Sequence, residues 1–281
     1  MTTKGENMVR AAFLGVSLLA LVYGFKELIF VHAPFVFSDP LEDMSFGWYV
    51  PIFSAYVVWR ERRELMASLG EPSLAGLAAA LAALFVGFLG VRGVQIRFEI
   101  VAFAALLVAV PWAMYGRRTA ARLAFPAAFL LFCIPLATFL DVVTVHLRLL
   151  ASAVAAAILE GVGAAVERVG TTITTSGGFA IDVAAPCAGL RSIFALLALA
   201  AGYGYFALDG WWRRAALFAL AVPIAVVGNI ARVLMICLVG TWCSPSFATG
   251  FYHDYSGYVV FLVAIAMMVG CAELLRGRRR K

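Results

Sequence analysis

The run Ala185-Pro186-Cys187-Ala188-Gly189-Leu190-Arg191-Ser192 sets a cysteine at the head of a hydrophobic stretch, with an arginine one helical turn further on. Proline suits the first position of a helix, where its missing N–H costs nothing. The spacing therefore predicts a helix that starts near Pro186 and carries Cys187 in its first turn. Unsatisfied backbone N–H groups and the positive end of the helix dipole then favour the thiolate, and the Arg191 cation adds to the effect. A cysteine so placed is a nucleophile, whereas one among alkyl groups stays protonated and inert. Cys133, Cys237 and Cys271 lie inside apolar runs and belong to the second kind. Cys243, in the polar stretch Trp242-Cys243-Ser244-Pro245, is exposed to an oxidising compartment if the chain is exported there, which leaves pairing with Cys187 open.

Two further positions have chemical potential. Arg232, in Gly228-Asn229-Ile230-Ala231-Arg232, is a charge within a long apolar run, and a spacing of three puts it on one helix face with Asn229. Such a charge costs at least about 2.5 kcal/mol unless it meets a partner or a wet cavity, so it is a functional-site candidate. The plain alternative is an arginine satisfied by carbonyls. His253, in Phe251-Tyr252-His253-Asp254-Tyr255-Ser256-Gly257, titrates near neutrality and suits general acid–base work. His146 competes for that role, and the residues around His253 favour the latter. His32 has the character of a solvated interfacial residue. Asp182 and Asp254 either orient a histidine or are surface carboxylates. Three scattered histidines offer no metal-ligand spacing, and neither metal nor cofactor is expected.

The elements that position these residues lie in a membrane. With 64% hydrophobic and 14% charged residues and a mean hydropathy of +0.96, an ordinary soluble domain is excluded. A helical span needs about 20 mostly apolar residues. Eight stretches qualify, near 9–31, 45–60, 73–91, 97–115, 121–140, 187–208, 213–240 and 254–275, the second short and containing Pro51. With the N-terminus on the cytoplasmic side, 15 of the 22 lysines and arginines fall at cytoplasmic ends, in the clusters at Lys4 and Arg10, Arg60 to Arg63, Arg117 to Arg122, Arg213 and Arg214, and Arg276 to Lys281. This asymmetry and anionic lipid account for the net charge of +6 and exclude nucleic acid as a partner. The first stretch lacks a cleavage site and is expected to be retained as a span. No inverted repeat or linker divides the chain, so residues 1–281 are expected to form a single polytopic domain.

Between the fifth and sixth spans, about 141–186 forms an extracytoplasmic insertion. Residues 141–169 mix charges with alanine, valine and leucine, which predicts an amphipathic helix on the membrane or a prolongation of the preceding span. Thr171 to Val183 predicts two short strands around a Ser176-Gly177-Gly178 turn. The fold class is thus an all-α integral membrane protein with about eight transmembrane helices and a small outer helix and β-hairpin. Cys187, Arg232 and His253 are expected to converge near the outer surface from three helices.

The motif Pro-Cys-Ala-Gly-Leu-Arg-Ser, then Asn229-x-x-Arg232, then His253 four residues before Gly257, resembles the exosortase/archaeosortase family of membrane cysteine transpeptidases. The resemblance extends upstream to Ser45-Phe46-Gly47-Trp48-Tyr49-Val50-Pro51, Trp59-Arg60 and Phe132-Cys133-Ile134-Pro135. The family often has serine where this chain has Ala188, and histidine where it has Phe46. The resemblance implies that Cys187 attacks a carbonyl in the C-terminal sorting signal of an exported protein and forms a thioester. It further implies His253 as general acid–base and Arg232 as stabiliser of the oxyanion or thiolate. Arg191 either supports Arg232 or binds the carboxyl side of the substrate. Asn229, Gly189 and Gly257 support the site or bind substrate, and the acceptor is either an amine, such as one carried by a lipid or glycan, or water. Two other classes compete. A membrane thiol-disulfide oxidoreductase would need Cys243 as its resolving cysteine, and a transporter should carry polar groups on both sides of the midplane.

Overall fold

The computed structural model describes residues 4–39, 44–135, 140–175, 178–183 and 189–277, with backbone only at 4–11, 141, 253 and 254. They group into two compact units, Met1–Leu136 and Ala137–Lys281.

In the first unit, α1 (Lys4–Gly24) bends into a π-helical turn (Leu28–His32) and α2 (Ala33–Ser38), the apolar arms meeting at 57°. A 3-10 turn (Ser45–Trp48) opens α3 (Tyr49–Arg60), followed by α4 (Arg62–Ala67), α5 (Leu74–Arg92) and α6 (Ile96–Phe129). The α5 helix lies against α6 through Gly76, Gly87 and Gly90, which face the Ala113 backbone, Ala102 and Glu99. Small residues let the two backbones approach, the principal source of helix affinity in a membrane. At Gly116 the α6 backbone leaves the helix (φ 81, ψ 179), and only glycine fits there, because the Glu71 carbonyl stands 2.7 Å from where a Cβ would be. The carbonyls freed by that break find partners: Gly70 N–H donates to the Tyr115 carbonyl and Ser73 N–H to the Ala113 carbonyl, each at 2.9 Å.

Six described helices are long and apolar enough to cross a membrane, or seven if the bent first pair is one span. The expected count of eight differs at identifiable places. The 45–60 stretch divides into the 3-10 turn and the 12-residue α3, which rises only about 18 Å. The 97–115 and 121–140 stretches meet at Gly116, where the backbone leaves the helix, and Arg97 Nε donates to the Pro135 carbonyl (3.1 Å), so the run folds back there and the two stretches stay separate helices. Residues 141–169, expected to be an amphipathic helix or a prolongation of the preceding span, give α7 (Asp141–Gly161), which is long and apolar enough to cross, and then, from Val166, a strand. Gly163, at φ +88, ends the helical path.

The second unit is built on α7, a three-stranded sheet, α8 (Leu190–Ala207), α9 (Trp211–Trp242), the single turn α10 (Pro245–Phe247) and α11 (His253–Arg276). Ile193, Leu196 and Ala200 of α8, Leu217, Ala221 and Ala225 of α9, and Ala264, Met268 and Ala272 of α11 form one buried core. Alanines at the contact let the three axes approach closely. Arg214 fixes the α8–α9 connection by donating from Nε to the Leu208 carbonyl (3.0 Å) and from Nη2 to the Tyr205 carbonyl (3.1 Å), which satisfies carbonyls at the end of α8.

The sheet has the order β1 (Val166–Val169), β2 (Thr172–Thr175), β3 (Ala180–Asp182), all antiparallel. The expected hairpin is β2 and β3, with the Ser176-Gly177 part of its turn outside the described residues, and β1 is an additional strand. Ile173 and Val183 are buried among Ala151, Ala155 and Leu159 of α7 and Val233 and Cys237 of α9. Phe179 is buried with Ile236 and Ala248, and its ring occupies the space that a Cβ on Gly240 would need. Polar links complete the attachment: Ser152 Oγ donates to the Gly170 carbonyl (3.1 Å), and Arg148 donates from Nε to the Val183 carbonyl and from Nη2 to Asp182 (3.4 Å). Replacing Gly240 by alanine should drive the Phe179 ring off α9 and destabilise the second unit by about 1–3 kcal/mol. A fall in the unfolding midpoint of the detergent-solubilised protein, partly recovered by Phe179→Leu, is the expected result.

Candidate active site

The helix that the cysteine motif was expected to open starts later than Pro186. Leu190 is the first residue of α8, and Gly189 is its N-cap in the left-handed region (φ 78, ψ 4), with Ile193 N–H donating to the Gly189 carbonyl (2.9 Å). The cause is local contact as well as conformation. A Cβ at Gly189 would lie 2.9 Å from both Cβ and Cγ of Asn229, so only glycine lets this backbone rest on the asparagine face. Cys187 and Pro186 lie outside the described residues, Cys187 two positions ahead of the N-cap. The helix expected to start near Pro186 thus begins at Leu190, and the expected placement of Cys187 falls outside the described residues.

Asn229 is buried, and Arg232, one turn further along α9, is half-buried. Arg232 Nε donates to Ser256 Oγ of α11 (3.4 Å). A Cβ on the adjacent Gly257 would stand 3.3 Å from Arg232 Cζ, so the guanidinium lies over bare backbone there. A cavity of about 20 Å3, the space of about one water, adjoins it and is lined by Ser192, Asn229, Arg232 and Gly257 among others. His253 is the first residue of α11, one turn before Ser256, and its side chain lies outside the described residues. Arg191, second residue of α8, is exposed.

Three helix lengths put these positions at one depth. From Trp212 to Arg232, from Leu190 to Ala207 and from Gly257 to Arg276 the rise is about 26–30 Å in each case. That distance is close to the thickness of a bilayer's hydrocarbon core, about 30 Å. The Trp211 and Trp212 rings stack at 3.7 Å at the far end of α9, where interfacial aromatics gather.

The competing residues are engaged elsewhere. His146 Nδ1 is 2.7 Å from the Val142 carbonyl of its own helix. Asp182 accepts from Thr171 Oγ1 (2.6 Å) and pairs with Arg148, which makes it an anchor of the sheet. His32, in the first unit, is not simply solvated: its Nδ1 is buried 3.8 Å from Glu99. Cys133 and Cys237 are buried, and Cys243 is exposed. Among the described residues no group of three or more histidine, cysteine or acidic side chains could share a metal ion. Ser256 went unnoticed in the sequence, although its position three residues after His253 and beside Gly257 was the available signal.

Two variants test this arrangement. Gly189→Ala pays about 1–2 kcal/mol for its left-handed backbone and also presses on Asn229, so a lower unfolding midpoint is expected together with loss of function. Ser256→Ala removes one hydrogen bond to a charged group, worth about 1 kcal/mol at this length. A drop of roughly fivefold in turnover, restored by Ser256→Thr, is the expected kinetic result.

Neither the comparison with curated proteins nor that with solved structures returned a match. A family model described as transmembrane exosortase matches residues 39–270, which includes the Cys187 motif, Asn229, Arg232, His253 and Gly257. With most of its length matched, the chain belongs to the transmembrane exosortase family, a family of membrane transpeptidases and proteases.

Proposed function

We propose that this chain is a membrane-embedded cysteine transpeptidase that cleaves the C-terminal sorting signal of exported proteins. The Cys187 thiolate attacks the scissile carbonyl, and the tetrahedral oxyanion is stabilised by Arg232. His253 protonates the leaving amine as the C–N bond breaks, which leaves the exported protein as a thioester on Cys187. An amine on a lipid or glycan carrier then attacks the thioester, His253 takes its proton, and the new amide leaves with the thiolate restored. Arg191, exposed at the start of α8, supports Arg232 or binds the carboxyl side of the tail.

The observation that carries this reading is the seat of Arg232. Three separate helices supply Ser192, Arg232 and Gly257 to one small polar cavity, with Cys187 two positions ahead of the α8 N-cap in sequence and His253 one turn before Ser256. The depth of the seat also supports it. A substrate held by a transmembrane tail presents its cleavage site at the edge of the hydrocarbon core, about 30 Å from the far surface. The lysine and arginine distribution favours the cytoplasmic membrane, both termini inside, and the site on the outer face.

The test is processing of a co-expressed reporter with a C-terminal sorting tail. Cys187→Ala should abolish cutting, Arg232→Ala should reduce it by about 10²–10³-fold, and His253→Ala by about 10²–10⁴-fold. All are compared at equal membrane abundance, and cutting by Cys187→Ala would reject the nucleophile.

A further inference from the structure

The sheet ends on β3, which has no described strand on its outer side and precedes Cys187 in the chain. Hydrogen bonds between β2 and β3 join Thr175 N–H to the Phe179 carbonyl (2.8 Å) and Val183 N–H to the Thr171 carbonyl (3.2 Å). With Ile173 opposite Ile181, the alternation of an antiparallel ladder makes 179, 181 and 183 the residues that bond to β2. Ala180 and Asp182 therefore turn their N–H and C=O groups away from β2, and the sheet order places no further described strand there. Both residues are exposed.

The two edges of the sheet differ. On β1, Glu167 and Arg168 are exposed charges of the kind that protect an edge from pairing. On β3 the edge carries the small Ala180, and the Asp182 carboxylate is engaged by Thr171 and Arg148. The strand is also held rigid from behind, with Phe179 and Val183 buried against the helices. An edge fixed in advance binds an extended chain without first ordering itself. Four residues separate Asp182 from Cys187, at most about 18 Å of chain over five steps.

We propose that the substrate segment containing the scissile bond pairs with β3 as a fourth strand, its backbone held by the N–H and C=O groups of Ala180 and Asp182. This rests on the cysteine transpeptidase reading and adds to it the means of holding the peptide. The occupant is a polypeptide in extended form, because only a main chain offers donors and acceptors at the repeat of the strand. Pairing of this type reads backbone and leaves side-chain choice to other contacts. Open strand groups have no place in hydrocarbon, so the edge stands where water covers it until the peptide does.

Proline separates this edge from the fold. Ala180→Pro deletes one outward N–H and sets a ring on the edge, yet removes none of the β2–β3 hydrogen bonds; Arg168→Pro does the same at the β1 edge, because Thr172 and Thr174 bond to Val169 and Glu167. Cutting of the tail-bearing reporter is measured for the native chain, Cys187→Ala, Ala180→Pro and Arg168→Pro, with thermal unfolding of each. The expected result is a loss of at least tenfold for Ala180→Pro and a change within twofold for Arg168→Pro. As a second measurement, a benzophenone side chain at position 180 of the Cys187→Ala variant should crosslink the reporter, and one at position 168 should not. Native-like cutting by Ala180→Pro, or equal crosslinking from both positions, would overturn the proposal while the transpeptidase reading stands. Failure of the native chain to cut, or cutting by Cys187→Ala, would overturn that reading and the proposal with it.

Discussion

A guanidinium set among three apolar helices dictates much of the second unit. An arginine at the edge of hydrocarbon is tolerated only if its donors are met and its plane has somewhere to lie. Ser256 answers the first need through Nε, and the absence of a side chain at Gly257 answers the second. Below this point α8, α9 and α11 share an alanine-rich core; at this point they part enough to leave a small polar cavity. The charge thus sits at the place where close helix packing gives way to space in which chemistry can occur.

The same economy governs how the chain reaches Cys187. A sheet, and not a bare connection, lies between α7 and the segment that carries Cys187. Its inner face is buried against α7 and α9, and Arg148 and Ser152 tie its carbonyls to α7. At the other side of the cysteine, Gly189 rests on Asn229, so both ends of the 184–188 segment are fixed to the helix that carries Arg232. Precision in a catalytic group comes from such rigid supports more than from the group itself.

The first unit shows how a break in a helix is closed by a neighbouring segment. The Gly116 break in α6 frees the Ala113 and Tyr115 carbonyls, and the 68–73 segment satisfies them through the N–H groups of Ser73 and Gly70. The break lies beside Arg117 and Arg118, at the end of the helix that the charge pattern puts outside the hydrocarbon.

Much of this protein was legible from residue types alone. Composition required a polytopic membrane protein, the motif drew attention to Cys187, Arg232 and His253, and threonine-rich alternation around Ser176-Gly177-Gly178 marked the hairpin. These signals are local: hydropathy, strand propensity and turn chemistry act between near neighbours. Contacts between distant residues decided the rest. The start of α8 moved from Pro186 to Leu190 because Gly189 meets Asn229, forty residues away, in a conformation only glycine adopts freely. The need for glycine at the 116 break follows from the carbonyl of Glu71, and the strand at Val166 exists because β2 is there to pair with it. Ser256 became part of the site only when α11 was laid against α9. Periodicity reports which residues avoid water, and it is blind to which backbone will approach which side chain; that was settled by packing.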